Sequence, residues 1–223
     1  MSRIVLVTTN YWPEPTGIAV YTTDLAETLQ RSGHEVSVLT SLPHYPWWCI
    51  PPEYSHLGEG ITEHNRVSVI RANHLIPTEM NAVKRMRFEL SLWWNLRRIC
   101  KRLNNSQLSK VISCIPTVAA GVIGRRLAKK LDVPFGLIIQ DLSGAGAKQS
   151  GLRGGNTIAK VAEIIETSVI KAADQIVVVS PEMRIAVMKM GVSADRLNFI
   201  PNYSATEVYE YDKRIARERF GWD

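Results

Sequence analysis

Arg3-Ile4-Val5-Leu6-Val7-Thr8-Thr9 runs straight into Asn10-Tyr11-Trp12-Pro13-Glu14-Pro15-Thr16-Gly17-Ile18, and this junction decides how the chain is organised. The first seven residues are apolar or β-branched, as a strand buried on both faces requires. Two prolines and one glycine follow. Then Tyr21, Leu25 and Leu29, spaced four apart, mark one face of a helix that Gly33 ends. Strand, stiff loop and helix in that order form the opening unit of a parallel sheet.

Outward from this unit the same alternation recurs. Further strands are predicted at Glu35–Thr40, Val67–Arg71, Lys110–Cys114, Pro134–Gln140, Gln175–Ser180 and Leu197–Ile200, for about seven in all. Thr117 to Lys130 reads as a second helix. Ile158, Val161, Ala162, Ile165, Val169 and Ala172 form the buried face of a third, with Asn156 as its N-cap, and Pro181 opens another. The pattern predicts an α/β fold, a Rossmann-like doubly wound parallel sheet occupying residues 1–201. Two connections are long: Ser41–Asn65, rich in Pro and aromatic residues, and Asp141–Gly155, rich in Gly; long loops in compact domains are usually functional. Residues 202–223 read as a linker leading towards a further domain.

With 223 residues, 45% hydrophobic and 22% charged, the chain is of ordinary globular make-up, which excludes disorder, collagen and coiled coil. Cys49, Cys100 and Cys114 have no pairing pattern, so a reducing compartment is expected. No signal-peptide pattern follows Met1, and no apolar stretch reaches the ~20 residues of a membrane span. The expected location is the cytoplasm. The net charge of +6 is concentrated in Lys84–Arg102, which holds seven basic residues and one acid, Glu89. On a helix, Met86, Leu90, Trp93, Leu96, Ile99, Cys100 and Leu103 fall on one side, and Lys84, Arg87, Arg98, Lys101 and Arg102 on the other, with Trp94 among the bases. A solvated surface helix, a peripheral membrane contact through Arg87, Trp94, Arg98, Lys101 and Arg102, and a nucleic-acid surface all fit this pattern.

Ligands of doubly wound sheets bind outside the carboxyl ends of the strands. The first such loop lacks the Gly-x-Gly-x-x-Gly spacing, which disfavours a dehydrogenase or a nucleotide-dependent epimerase. Gly17 at a helix start leaves backbone N–H groups that attract negative charge, or simply allows a sharp turn. Ser143 to Gly151 contains glycines and Lys148, yet Ala147 and Gln149 around the lysine exclude a P-loop. Gln140 and Asp141 put an amide and a carboxylate at a strand end, where an acid orients a hydroxyl, acts as a base, or caps a turn. The five histidines have no metal-ligand spacing, so no metal is expected. His44, beside Tyr45, stands in an aromatic loop of the kind that grips a sugar or packs itself down.

Tyr11-Trp12-Pro13-Glu14-Pro15-Thr16-Gly17-Ile18 with Tyr21-Thr22, Gly33-His34-Glu35-Val36, Pro43-His44-Tyr45-Pro46, Ile139-Gln140-Asp141, Val179-Ser180 and Ile200-Pro201-Asn202-Tyr203 together resemble the amino-terminal domain of family 4 GT-B glycosyltransferases. Within that family the likeness is to colanic-acid-type fucosyltransferases and other exopolysaccharide enzymes. The resemblance implies sugar transfer with retention from a nucleotide-diphosphate donor, itself a substrate, without cofactor or metal. It implies an acceptor-side lobe partnered by a donor-binding domain, in cis or as a separate subunit, and a lipid-linked glycan acceptor at an anionic membrane, with no nucleic acid. Carried over, Gly17 and Asp141 take catalytic places, and Glu14, Thr16, Tyr21, His44, Tyr45, Gln140, Lys148 and Asn202 the acceptor side. The alternative is a non-catalytic, membrane-associated glycan-binding module or a subunit of a split enzyme.

Overall fold

The computed structural model describes residues 1–78, 81–103, 107–142, 155–203 and 212–222. Its elements run β1 (Arg3–Val7), α1 (Ile18–Arg31), β2 (Glu35–Ser41), β3 (Gly60–His64), β4 (Val67–Ala72), α2 (Ala82–Ile99) and β5 (Leu108–Ile115). They continue with α3 (Val118–Leu131), β6 (Phe135–Ile139), α4 (Gly155–Ala172), β7 (Gln175–Val178), α5 (Pro181–Lys189), β8 (Leu197–Phe199) and α6 (Lys213–Phe220). One sheet of eight strands has the order β3-β4-β2-β1-β5-β6-β7-β8. All neighbours are parallel except β3 with β4. The strand order reverses between β1 and β5, which makes the carboxyl ends of these two strands the natural ligand crevice.

Each β1 residue alternates faces, so Leu6 joins Val36, Val38, Val67 and Val69 beneath α1, while Val5 and Val7 enter the larger core under α2, α3 and α4. The approach of α3 to β5 is close because Gly124 has no side chain: a Cβ there would stand 1.9 Å from Ser113 Oγ. Ser113 in turn donates to the Ala120 carbonyl at 3.1 Å.

Three expectations need correction. The sheet gains an eighth strand, β3, inside what reads as a long connection. Asn65 and Arg66, both at positive φ, make the tight turn that pairs β3 antiparallel with β4. Asn156 lies inside α4 instead of capping it. The third correction concerns α2, whose inner face is rotated. Phe88, Leu92, Leu96, Ile99 and Leu103 are buried, whereas Met86 and Leu90 face solvent. The cause is at the top of the helix, where the Phe88 ring docks against His44 at 5.7 Å and His74 at 5.4 Å and turns that side inward.

Candidate functional site

Two helices, α1 and α3, begin at the crevice, and their N-terminal ends differ. At α3, Glu89 from α2 reaches across, and its Oε2 accepts the Ala119 N–H at 3.0 Å. Burial raises the Glu89 pKa, and Arg85 at 2.9 Å together with the helix N–H groups works against that rise. The positive end of α3 therefore already holds a carboxylate of the chain's own. At α1 no side chain caps the helix and no acid lies in the first turn. Gly17 is exposed, with φ of +64°, a conformation that L side chains rarely adopt. The open helix end thus offers its N–H groups to an anion from outside.

Above Gly17 lies Tyr45; a Cβ on Gly17 would come 3.3 Å from Tyr45 Cε1. Tyr45 is held there by a carboxylate from the first loop. Glu14 is only 4% exposed, and its Oε1 accepts the backbone N–H groups of His44 at 2.8 Å and Tyr45 at 2.9 Å. Its Oε2 accepts from Asn10 Nδ2 at 2.7 Å. Burial pushes the Glu14 pKa up to about 6, although all three donors favour the ionised form.

The His44 ring, 2% exposed, is 3.1 Å from the Leu42 carbonyl and 3.3 Å from Glu14 Oε1. Burial lowers its pKa to about 4, so near neutral pH the contact with Glu14 is between a neutral imidazole and a carboxylate, not an ion pair. His74 packs 4.5 Å from His44 and is lowered to about 3, by burial first and then by its neighbour.

Glu14 and His44 thus lie beneath the surface, behind Tyr45. Thr16, just before α1, is exposed, and Tyr21, on its first turn, is half-buried. Gln140 Oε1 accepts from Asn202 Nδ2 at 2.9 Å. Tyr203 donates to Asp24 and meets the Tyr21 ring edge-on at 5.6 Å, so residues 202–203 tie the end of β6 to α1. Asp141 is exposed, with Oδ1 accepting the Leu142 N–H at 2.8 Å. Lys148 lies outside the described residues.

Sequence reasoning missed His74, Glu89 and Arg71. Arg71 is buried, donates to Thr62 Oγ1 at 2.6 Å and to the Trp12 carbonyl at 2.8 Å, and so fixes the first loop from below. Trp12 is stacked on His64 at 3.8 Å. An arginine between Ile70 and Ala72 in an apolar strand was the available signal.

Arg87 and Trp94 on α2 and Lys101 in the turn just past its end are exposed. Arg98 and Arg102 are not free: both reach Glu59, at 2.5 Å and 3.8 Å. A stripe not anticipated appears instead, with Val83, Met86, Leu90 (56% exposed) and Trp94 (61% exposed) following the helical repeat along one face. Among the described residues no helix is long and apolar enough to cross a membrane, and no three His, Cys, Asp or Glu side chains gather as a metal site would need.

Several known proteins resemble this chain. A protein named for colanic acid biosynthesis glycosyl transfer, WcaI of Escherichia coli (strain K12), is 29% identical over 216 residues, covering 94% of this chain and 52% of the relative. Among solved structures, sucrose-phosphate synthase (tll1590) from Thermosynechococcus elongatus superposes with a TM-score of 0.68 at 14% identity, over 100% of this chain and 53% of that one. Anabaena Alr3699/HepE, solved with UDP and glucose, superposes at 0.56 and 14% identity, over 99% of this chain and 50% of its own. The chain spans about half the length of the proteins it matches. The family described as the glycosyl transferase 4-like domain matches residues 16–203, and this chain belongs to it.

Proposed function

We propose that the chain is the acceptor-side lobe of a retaining glycosyltransferase that moves a sugar from a nucleotide-diphosphate donor to a lipid-linked glycan during surface polysaccharide synthesis. The observation that carries this reading is the contrast between the two helix ends at the crevice: α3 is filled by Glu89, and α1 is open at Gly17. When a glycosidic bond to a diphosphate breaks, negative charge grows on the leaving phosphate. Backbone N–H groups at a helix end, carrying roughly half a positive charge, stabilise that charge without a metal. The first turn of α1 supplies them, and the donor lobe, in cis or as a separate subunit, brings the phosphates across the cleft.

On this reading Tyr45 and Tyr21 offer ring faces to the acceptor, Thr16 and Asn202 offer polar tips, and Asp141 accepts a hydroxyl proton of the acceptor at the rim. Glu14 and His44 act as positioning residues by holding Tyr45 over Gly17. Retention at the anomeric carbon is part of the proposal, as is a metal-free site. The α2 stripe of Val83, Met86, Leu90 and Trp94, flanked by Arg87 and Lys101, supports seating of the lobe on an anionic membrane face where a lipid-linked acceptor resides.

The test is equilibrium binding by the 223-residue chain alone. It should take up a polyprenyl-diphosphate-linked glycan presented in mixed micelles and leave UDP- and GDP-sugars unbound at millimolar concentration. Micromolar binding of a nucleotide sugar, with no binding of the lipid-linked glycan, would contradict the assignment.

A further inference from the structure

The α2–α3 seam holds a groove away from the crevice, near the carboxyl ends of both helices. It has a volume of about 230 Å³ and is lined by Arg97, Cys100, Lys101, Ile123, Arg126, Leu127 and Lys130. Four of these are cations, Arg97 on α2, Lys101 in the turn that follows it, and Arg126 and Lys130 on α3, and none of the seven is a carboxylate. All four cations are solvent-exposed, and among the described residues none pairs with an acid, unlike Arg85, Arg98 and Arg102 nearby. Arg97 is steadied by the Trp93 ring, 5.5 Å from its guanidinium. The floor, formed by Ile123, Leu127 and Cys100, is apolar.

Four unpaired cations around a small concavity repel one another, and an anion seated among them relieves that repulsion. Which anion is indicated by the surface on either side. A second hollow, lined by Trp94, Arg97, Arg98 and Lys101, joins the groove to the exposed stripe of Val83, Met86, Leu90 and Trp94. An amphiphile with a charged head and apolar tails matches both parts at once: the head between the helices, the tails beside the stripe.

We infer that the α2–α3 groove is a binding site for the phosphate headgroup of an anionic phospholipid. The inference rests on the membrane seating proposed above and deepens it, since it assigns the headgroup to Arg97, Lys101, Arg126 and Lys130, of which the two on α3 lie outside the α2 face. Lipid binding therefore depends on α3 as well as on α2, and the lobe is held in one orientation instead of rolling about the α2 axis.

The experiment is co-sedimentation of the full chain with phosphatidylcholine vesicles containing phosphatidylglycerol. The double variant Arg126→Ala/Lys130→Ala should bind about thirtyfold more weakly than wild type, the effect of two cations at an anionic surface. The control Lys129→Ala/Lys189→Ala removes the same charge from exposed sites outside the groove and should weaken binding less than threefold. Equal losses in the two variants would reduce the groove to general charge and overturn the site. Tight binding of inorganic phosphate without vesicles, abolished by Arg126→Ala/Lys130→Ala, would assign the groove to a free anion and overturn the lipid. Wild type that ignores the vesicles altogether would sink the membrane seating itself, whereas wild-type binding that survives in the groove variant sinks only the groove.

Discussion

The Glu14 carboxylate and the Tyr45 backbone N–H meet at 2.9 Å inside the protein, so an acid in the first loop positions the ring that stands beside the exposed Gly17. Removing that acid leaves the His44 and Tyr45 N–H groups without their acceptor. Each buried unsatisfied donor costs about 1–3 kcal/mol. Glu14→Ala should therefore lower stability by about 2–4 kcal/mol, read as a lower urea midpoint. Glu14→Gln keeps an oxygen for both donors and should lose less than half as much. Equal losses would show that the carboxylate fills space and does not hold the loop.

Acid sensitivity should follow from the two buried imidazoles. His44 and His74 titrate at about 4 and about 3 when folded, against 6.5 in the unfolded chain. Below pH 6.5 the unfolded state therefore binds more protons, and stability falls as pH drops. Glu14, raised from 4.5 to about 6, and Glu89, also raised, act in the opposite direction, since the folded state protonates first. A single net proton corresponds to about 1.4 kcal/mol per pH unit. The difference in unfolding free energy between wild type and His74→Phe should thus shift by up to about 2 kcal/mol between pH 6 and 4.5, in favour of the variant at low pH. Parallel curves would place His74 in a wet, unshifted environment.

Gly17→Ala places a side chain at φ of +64° and 3.3 Å from Tyr45. The expected loss of stability is about 1–2 kcal/mol, because αL backbone is costly for alanine. In an assembled enzyme the same change should lower kcat about a hundredfold or more, the effect of disturbing a preorganised anion-stabilising donor. A fall in stability with turnover intact would remove Gly17 from the chemistry.

Leu90→Ser/Trp94→Ser should leave the fold unchanged, because both side chains are already in water. Partition onto anionic vesicles should weaken by about tenfold or more, since burying each apolar side chain is worth about 1.5–3 kcal/mol. Unaltered partition would mean that the stripe faces something other than lipid.

Much of this architecture was legible from residues alone, because β-branched runs such as Ile4–Val7 and Val36–Thr40 can only be buried strands. Their order along the chain then leaves few topologies. β3 was hidden for a physical reason: at a sheet edge, Ile61 points outward and Thr62 and Glu63 need no apolar partner, so alternation is weak. The inner face of α2 followed from Phe88 docking on His44 and His74, a contact between residues far apart in sequence. Gly17 was visible as a helix start with bare N–H groups or a sharp turn, whereas its contrast with α3 was not. That depended on Glu89 filling the neighbouring helix and not this one. Burial of Glu14 and His44 was equally out of reach, because thirty residues separate the carboxylate from the N–H groups it holds.

The direct test is sugar transfer to a polyprenyl-diphosphate-linked glycan, measured across a panel of nucleotide sugars. The 223-residue chain should transfer nothing alone, should transfer when joined to the donor half of a two-lobed relative, and should lose that gain with Gly17→Ala. Robust turnover by the chain alone, or a joined enzyme indifferent to Gly17, would contradict a lobe that works through the open end of its first helix.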